Sequence, residues 1–281
     1  MEQYIDINFN KDFAHSSSLL LEIDTQQFSF LIYDKQNGKI HALKRMSFNN
    51  QLKGTAFTEQ LKSIINKEDL LHLLFKETKI SLTFQAFTLV PKTIFDEVYK
   101  EKYLNHSAHV SMNENIDVNS IHAFFLKNIF SCNSGLKAYL QHAFPGAKFF
   151  HLTSSLLEYA AQNNEDFANS QLIIDVHQDV IHLLYMQEKK LLYLNQFQYK
   201  NKEDFLYYVL LVCDQLDVDR TLCELKLSGF ITIESELYTE LYKFFSGISF
   251  VPALEHFTVP EELQSLPVHY YTTLMSLHLC A

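Results

Sequence analysis

Two aspartates, Asp24 and Asp175, each stand at the end of an apolar run, Leu20-Leu21-Glu22-Ile23-Asp24 and Leu172-Ile173-Ile174-Asp175, and each precedes a short reversal and a second apolar run. A carboxylate at a strand end can hold Mg²⁺ beside a phosphate, or it can close its own turn by accepting backbone N–H groups. The first use is chemistry and the second is architecture. Thr25 and Gln26 follow the first aspartate; Val176 and His177 follow the second. His177, between Asp175 and Asp179, has the residue type of a metal ligand or general base, and equally that of a solvated turn histidine.

The remaining constellations are weaker. His106 and His109, with Glu114 and Asp117 nearby, could share a metal on a helix, but Ser107-Ala108 and the polar sequence beyond give no rigid helix. Cys132, His142 and Asp117 could form a nucleophile set, yet nothing local resembles an activating turn. The chain has no Gly-x-x-x-x-Gly-Lys, no Gly-x-Gly-x-x-Gly and no His-Glu-x-x-His. This reading assigns no catalytic residue and no metal.

The two aspartates lie 175 − 24 = 151 positions apart, so the repeat reads as a duplication that makes two lobes, not a solenoid. Each copy is a strand, a tight reversal, a second strand, another turn and a third strand, as in Leu19–Ile23, Phe28–Tyr33 and Ile40–Phe48. Asn37-Gly38 marks the second turn as a hairpin. Phe57, Leu61, Ile64 and Ile65 then recur at helical spacing, as do Phe205, Val209, Val212 and Leu216 after the second copy. The pattern predicts a strand through Ile80, Leu82 and Phe84, a helix through Ile94, Phe95, Val98 and Tyr99, a polar loop from His106 to Asn119 and a strand near Ile121–Leu126. A helix near 136–144, a strand near 148–152 and a helix over 156–161 capped by Thr153 or Ser154 follow. Residues 162–166 read as a polar bridge between a first lobe at 1–161, with an insertion at about 92–130, and a second lobe at 162–266. The second lobe continues with a strand at Leu225 and Leu227 ending in Ser228-Gly229, then a helix through Leu237, Leu241 and Phe244. Residues 267–281 read as a last helix.

Composition bounds the function. The 281 residues are 47% hydrophobic, which is enough for a sizeable core. The net charge of −10, with no dense Lys/Arg block, disfavours a nucleic-acid or anionic-membrane surface, because phosphate neutralisation needs clustered cations, and no nucleic-acid partner or direct membrane insertion is expected. The start, MEQYIDINFNKDF, lacks the apolar core of an export signal, and the longest apolar run, Phe205–Cys213, stops at Asp214. The four scattered cysteines read as reduced thiols, so the expected location is the cytoplasm. Only 6 glycines are present, and phosphate-cradling loops draw on glycine to let backbone N–H groups approach a ligand.

The order of elements resembles the actin-like ATPase superfamily, particularly its pilus-assembly and secretion-platform branch typified by PilM. The chain also looks like a member of an uncharacterised bacterial domain family with that fold. The resemblance implies an α/β, ribonuclease H-like duplicated fold, each lobe a mixed five-stranded-type sheet flanked by helices, with the last helix packed back on the first lobe. It implies two phosphate loops of the form Asp-x-Gly and an adenosine loop with Gly-Gly; this chain has Asp24-Thr25-Gln26, Asp175-Val176-His177 and Ser228-Gly229-Phe230. In such a plan Asp24, Thr25, Gln26, Asp175, His177, Ser228 and Gly229 line a cleft between lobes. With both phosphate-loop glycines replaced, the expected function is a degenerate, non-hydrolysing scaffold with no cofactor and another protein as partner. The alternative is a divergent ATPase or sugar-kinase-like enzyme using ATP with Mg²⁺ at Asp24 and Asp175; a metal-dependent hydrolase centred on His177 is a third. The tyrosines of the second half, Tyr199, Tyr207, Tyr208, Tyr238, Tyr242, Tyr270 and Tyr271, suit either a protein interface or the rim of a core.

Overall fold

The computed structural model describes residues 2–48, 54–83, 86–108, 110–162, 170–263 and 266–281. Phe84, His109 and the 163–166 part of the expected bridge lie outside the described residues. The chain divides into two compact units, one of Met1–Glu158, Glu255–Leu263 and Leu274–Ala281, the other of Tyr159–Leu254 and Gln264–Thr273.

The first unit is built on β1 (Glu2–Ile5), β2 (Ser17–Ile23), β3 (Gln27–Asp34), β4 (Ile40–Ser47), β5 (Glu77–Leu82) and β9 (Lys148–His151). These form one mixed sheet in the order β1-β4-β3-β2-β5-β9. The first four strands are antiparallel neighbours, and β5 and β9 run parallel to β2. The polar opening segment supplies edge strand β1, paired with β4. Every residue of β2 is buried, which accounts for its Leu19-Leu20-Leu21 run and places Ser17, Ser18 and Glu22 inside as well. Helix α1 (Gly54–Lys67) lays Phe57, Leu61 and Ile65 on one face of the sheet, where they join Leu19, Leu21, Ile23, Phe28 and Phe30 in the core. Between β3 and β4 the chain turns at Asn37-Gly38. Gly38 has φ +68°, and a Cβ there would meet the backbone oxygen of His256 at 1.7 Å, so only glycine fits.

Between β5 and β9 lie β6 (Phe87–Pro91), α2 (Lys100–Ser107), β7 (Glu114–Ile121), β8 (Leu126–Asn133) and α3 (Ser134–Ala143). The three strands make a separate sheet in the order β6-β8-β7. Here the structure departs from the sequence pattern. The expected strand near Ile121–Leu126 is the end of the β7–β8 hairpin: Ile121 and Leu126 are its last paired residues, 122–125 are its turn, and most of β7 occupies the expected polar loop. The reason is that, among the described residues, the buried cluster under this small sheet is Val90, Leu104 and Ile129, with half-buried side chains such as Ile116 and Val118 against it, so its strands need few apolar residues. The expected helix at 94–99 is a 3₁₀ turn at Glu97–Tyr99 that leads into α2.

Helix α4 (Leu152–Gln162) begins at Leu152, ahead of both Thr153 and Ser154, so neither is its cap, and the Thr153 N–H donates to Nδ1 of His151. The second unit holds β10 (Gln171–Val176), β11 (Val180–Gln187), β12 (Lys190–Gln198), α5 (Lys202–Gln215), β13 (Glu224–Gly229), α6 (Glu236–Tyr242) and β14 (Gly247–Phe250). Its sheet runs β12-β11-β10-β13-β14. That is the first unit's order without β1, with β10–β11–β12 antiparallel and β13 and β14 parallel to β10. Phe205, Val209 and Val212 of α5 pack on Leu172, Ile174 and Val176 as α1 packs on β2. Asn201 caps α5 by accepting from the Asp204 N–H. The segment expected to be one last helix is a 3₁₀ turn at Val268–Tyr271, then α7 (Thr272–Ser276), then a 3₁₀ turn at Leu277–Leu279. Its final residues belong to the first unit: Lys79, 3% exposed, points its ammonium at the carbonyl oxygens of His278, at 2.9 Å, and Cys280.

Candidate functional site

Strand register decides what each predicted residue does. In the first unit Ile23 pairs with Phe28, and the Asp24 N–H donates to the Gln27 carbonyl, so Thr25 and Gln26 are the two turn residues. In the second unit Val176 pairs with Ile181, and the His177 N–H donates to the Val180 carbonyl, so the turn residues are Gln178 and Asp179. The parallel neighbours agree: Thr83 N–H donates to the Ile23 carbonyl and Phe230 N–H to the Val176 carbonyl. The hairpins therefore superpose at an offset of 177 − 24 = 153, not 151. The structural counterpart of Asp24 is His177, and that of Asp175 is Glu22. Asp175 and Val176, expected in a phosphate turn, lie inside strand β10.

The two aspartates accordingly behave differently. Asp24 closes its own turn, its Oδ1 accepting from the Gln26 N–H at 3.2 Å and the Thr25 hydroxyl at 3.1 Å. Asp175 is fully buried and faces its neighbours' side chains. It is directly opposite His182 on β11 and opposite Ser228 on β13, while His177 stands two residues along on the same strand face. The Ser228 hydroxyl donates to Oδ1 at 2.7 Å; Oδ2 is 2.8 Å from Nε2 of His177 and 3.5 Å from Nδ1 of His182. Burial alone would push this carboxyl up, but the charge and hydrogen bond of His177 and the contact with His182 outweigh it and hold it well below the ordinary carboxylate range.

The surroundings fix this arrangement. The His177 ring sits edge-to-face on Phe230 and on His182, with centroids 5.8 and 5.5 Å away. The Tyr199 hydroxyl donates to the His177 carbonyl at 2.6 Å, and burial pushes that phenol up to about 12. Gly229 has φ +75°, and a Cβ on it would meet the Val176 carbonyl oxygen at 2.1 Å. Its glycine character thus serves the close passage of β13 past β10. Of the predicted residues, the structure brings Asp175, His177, Ser228 and Gly229 together in the second unit and keeps Asp24, Thr25 and Gln26 in one turn of the first. His182 was missed. A two-residue turn at Gln178-Asp179 would have placed it opposite Asp175.

The His106–His109 pair is not placed, since His109 lies outside the described residues, and the Cys132, His142 and Asp117 set does not have the features of a nucleophile. The Cys132 thiol is buried and pushed up to about 12, His142 is exposed, and Asp117 is paired with Lys137 at 2.6 Å.

The sequence over residues 6–248 matches the family described as Protein of unknown function (DUF3822). The chain belongs to that family. A protein of Bacteroides thetaiotaomicron with an actin-like ATPase fold and unknown function is 25% identical, with a TM-score of 0.80 over 86% of this chain and 93% of that one. The PilM–PilN type IV pilus biogenesis complex is similar at 11% identity, with a TM-score of 0.63 over 93% and 97%. The ethanolamine utilization protein EutJ from Carboxydothermus hydrogenoformans is similar at 10% identity and a TM-score of 0.50, over 95% and 89%. A search of curated proteins gives no match. This family member therefore has the α/β actin-like ATPase fold. Among the described residues, no helix is long and apolar enough to cross a membrane.

Proposed function

We propose that this chain is a non-hydrolysing member of the actin-like group, a cytoplasmic scaffold that binds another protein. One observation carries the reading: Asp175 accepts from or contacts Ser228, His177 and His182 through both of its oxygens, with no exposure to water. A carboxylate so engaged leaves no face for hydrated Mg²⁺, which needs several waters of its own. The residues of the second hairpin do not fit the ATP and Mg²⁺ that the fold family implies, so no hydrolytic step is derived for them. Four free, buried cysteines suit a reducing compartment. For the partner, the support is the similar PilM, solved with PilN, together with Tyr207 on α5 and Tyr242 on α6, which are 60% and 69% exposed. The other tyrosines of that group are packed: Tyr208 stacks on Phe197, Tyr270 lies against Phe230 and Tyr271 is buried.

A second reading, a divergent enzyme using ATP with Mg²⁺, has one observation in its favour. Gln26 is 8% exposed, and its Nε2 finds no acceptor among the described residues, so it could donate to a ligand oxygen beside Asp24. A thermal-shift panel of ATP, ADP and GTP with and without Mg²⁺, run beside a phosphate-release assay, separates the two. A ligand that binds only the folded state raises Tm by mass action. The scaffold reading expects a flat panel and no phosphate; a Mg²⁺-dependent rise accompanied by phosphate release would replace it with the enzyme.

A further inference from the structure

Asp175, His177 and His182 offer one carboxylate oxygen and two imidazole nitrogens, one ligand atom from each lying within 4.8 Å of the others. We propose that this cluster binds a divalent transition metal, with Zn²⁺ as the ion we assign, in place of the nucleotide-bound Mg²⁺ of the actin-like plan.

Four observations support the site. The donor set is two imidazoles and a carboxylate, which suits Zn²⁺ and its first-row neighbours and not Mg²⁺ or Ca²⁺, ions that take oxygen ligands. The spacing is close to what an ion needs: bonds of about 2.1 Å put neighbouring ligand atoms roughly 3.0–3.4 Å apart, and the separations from Asp175 Oδ2, 2.8 Å to His177 and 3.5 Å to His182, bracket that range and need shifts of only about 0.2 Å. The donors are held rigidly, since Asp175 and His182 are a directly opposed pair in a two-strand ladder and His177 is pinned through the Tyr199 hydroxyl on its carbonyl. Lastly, Ser228 takes Oδ1 of Asp175 at 2.7 Å and so turns Oδ2 toward both imidazoles, the kind of outer hydrogen bond that orients a ligating carboxylate.

The first unit serves as an internal control. At the matching register positions it carries Glu22, Asp24, Ser29 and Ser81, with no imidazole among them. A duplicated fold does not by itself produce this cluster. The inference does not depend on whether the chain binds nucleotide.

The test uses the full chain, stripped with a chelator and titrated with Co²⁺ as a spectroscopic probe and with Zn²⁺ in competition with a metal indicator. The expected results are a single binding event per chain, intense visible Co²⁺ bands of a low-coordinate site, displacement of Co²⁺ by Zn²⁺ and a Zn²⁺-dependent rise in Tm. His177→Gln and His182→Gln should each abolish the Co²⁺ bands, and Ser228→Ala should weaken Zn²⁺ by about 10–100-fold. His142→Gln, on the surface, should change nothing. If either imidazole variant does not fold, the wild-type Co²⁺ spectrum and the Ser228→Ala titration decide the matter. A Co²⁺ spectrum no different from the aqueous ion, with Tm unmoved by Zn²⁺, would overturn the proposal and leave a closed hydrogen-bond network.

Discussion

The two hairpins of this duplicated chain share a backbone plan and differ in what they do with a carboxylate. In the first unit Asp24 sits at the mouth of the turn and spends its oxygen on the turn's own N–H. In the second unit the mouth is occupied by His177, and the acid stands two residues back in the strand, at the position that Glu22 holds in the first, where Ser228, His177 and His182 surround it. A duplicated fold can thus keep its ladder while the chemistry at one copy turns inward, because strand pairing depends on backbone hydrogen bonds and the side chains of one face are free to change.

That contrast has measurable consequences. The largest should come from Asp175→Asn. It removes the ionised acceptor from a site shielded from water, a change of the kind that costs about 3–5 kcal/mol. Asp24→Asn should cost under about 1 kcal/mol, since asparagine closes the same turn. Urea denaturation of both variants checks this, and equal losses would break the comparison. Next is Gly229→Ala. Its Cβ would strike the Val176 backbone at 2.1 Å in a left-handed conformation, and the expected loss is about 2–3 kcal/mol, seen as a lower urea midpoint with an unchanged slope.

The pH dependence follows from the same difference. Folding lowers the Asp175 pKa, so the carboxylate's contribution is present above the unfolded value of about 4 and is lost as pH falls through and below it. The gap in stability between wild type and Asp175→Asn should therefore narrow between about pH 5 and pH 3. A gap that widens there would mean that the acid is held protonated. The smallest effects belong to the turn tips. Thr25→Ala and Gln178→Ala, at equivalent positions, should each move stability by no more than about 0.5 kcal/mol; a larger loss at Thr25 alone would show that the first turn is built for more than closure.

The frame of each lobe was readable from the sequence, because buried strands and amphipathic helices announce themselves by pattern. Phe57, Leu61 and Ile65 are buried as their spacing requires, and so are Phe205, Val209 and Val212. Two edge strands were not readable: β1 and β14 are four residues each, with little buried apolar area to leave a signal, whereas β9, an edge strand of the same length, stood out between the Pro145-Gly146 turn and α4. The site was half readable. Asp175, His177 and Ser228 stood out by residue type, but the repeat was aligned on the identity of the aspartates, and that fixed the offset two residues short. His182 was hidden for a related reason. A histidine inside an apolar strand looks like core until the cross-strand register sets it opposite an acid.

The most direct test of this account is a double-mutant cycle on Asp175→Asn and His182→Gln, read by urea denaturation of the two single variants and the double. Side chains that share one buried network couple by about 0.5–3 kcal/mol, and separated sites add within about 0.5 kcal/mol. The account predicts a coupling near the top of that range. Additive losses would contradict it, uncoupling Asp175 from the His177–His182 cluster and restoring it as a residue available to the Mg²⁺ of a nucleotide.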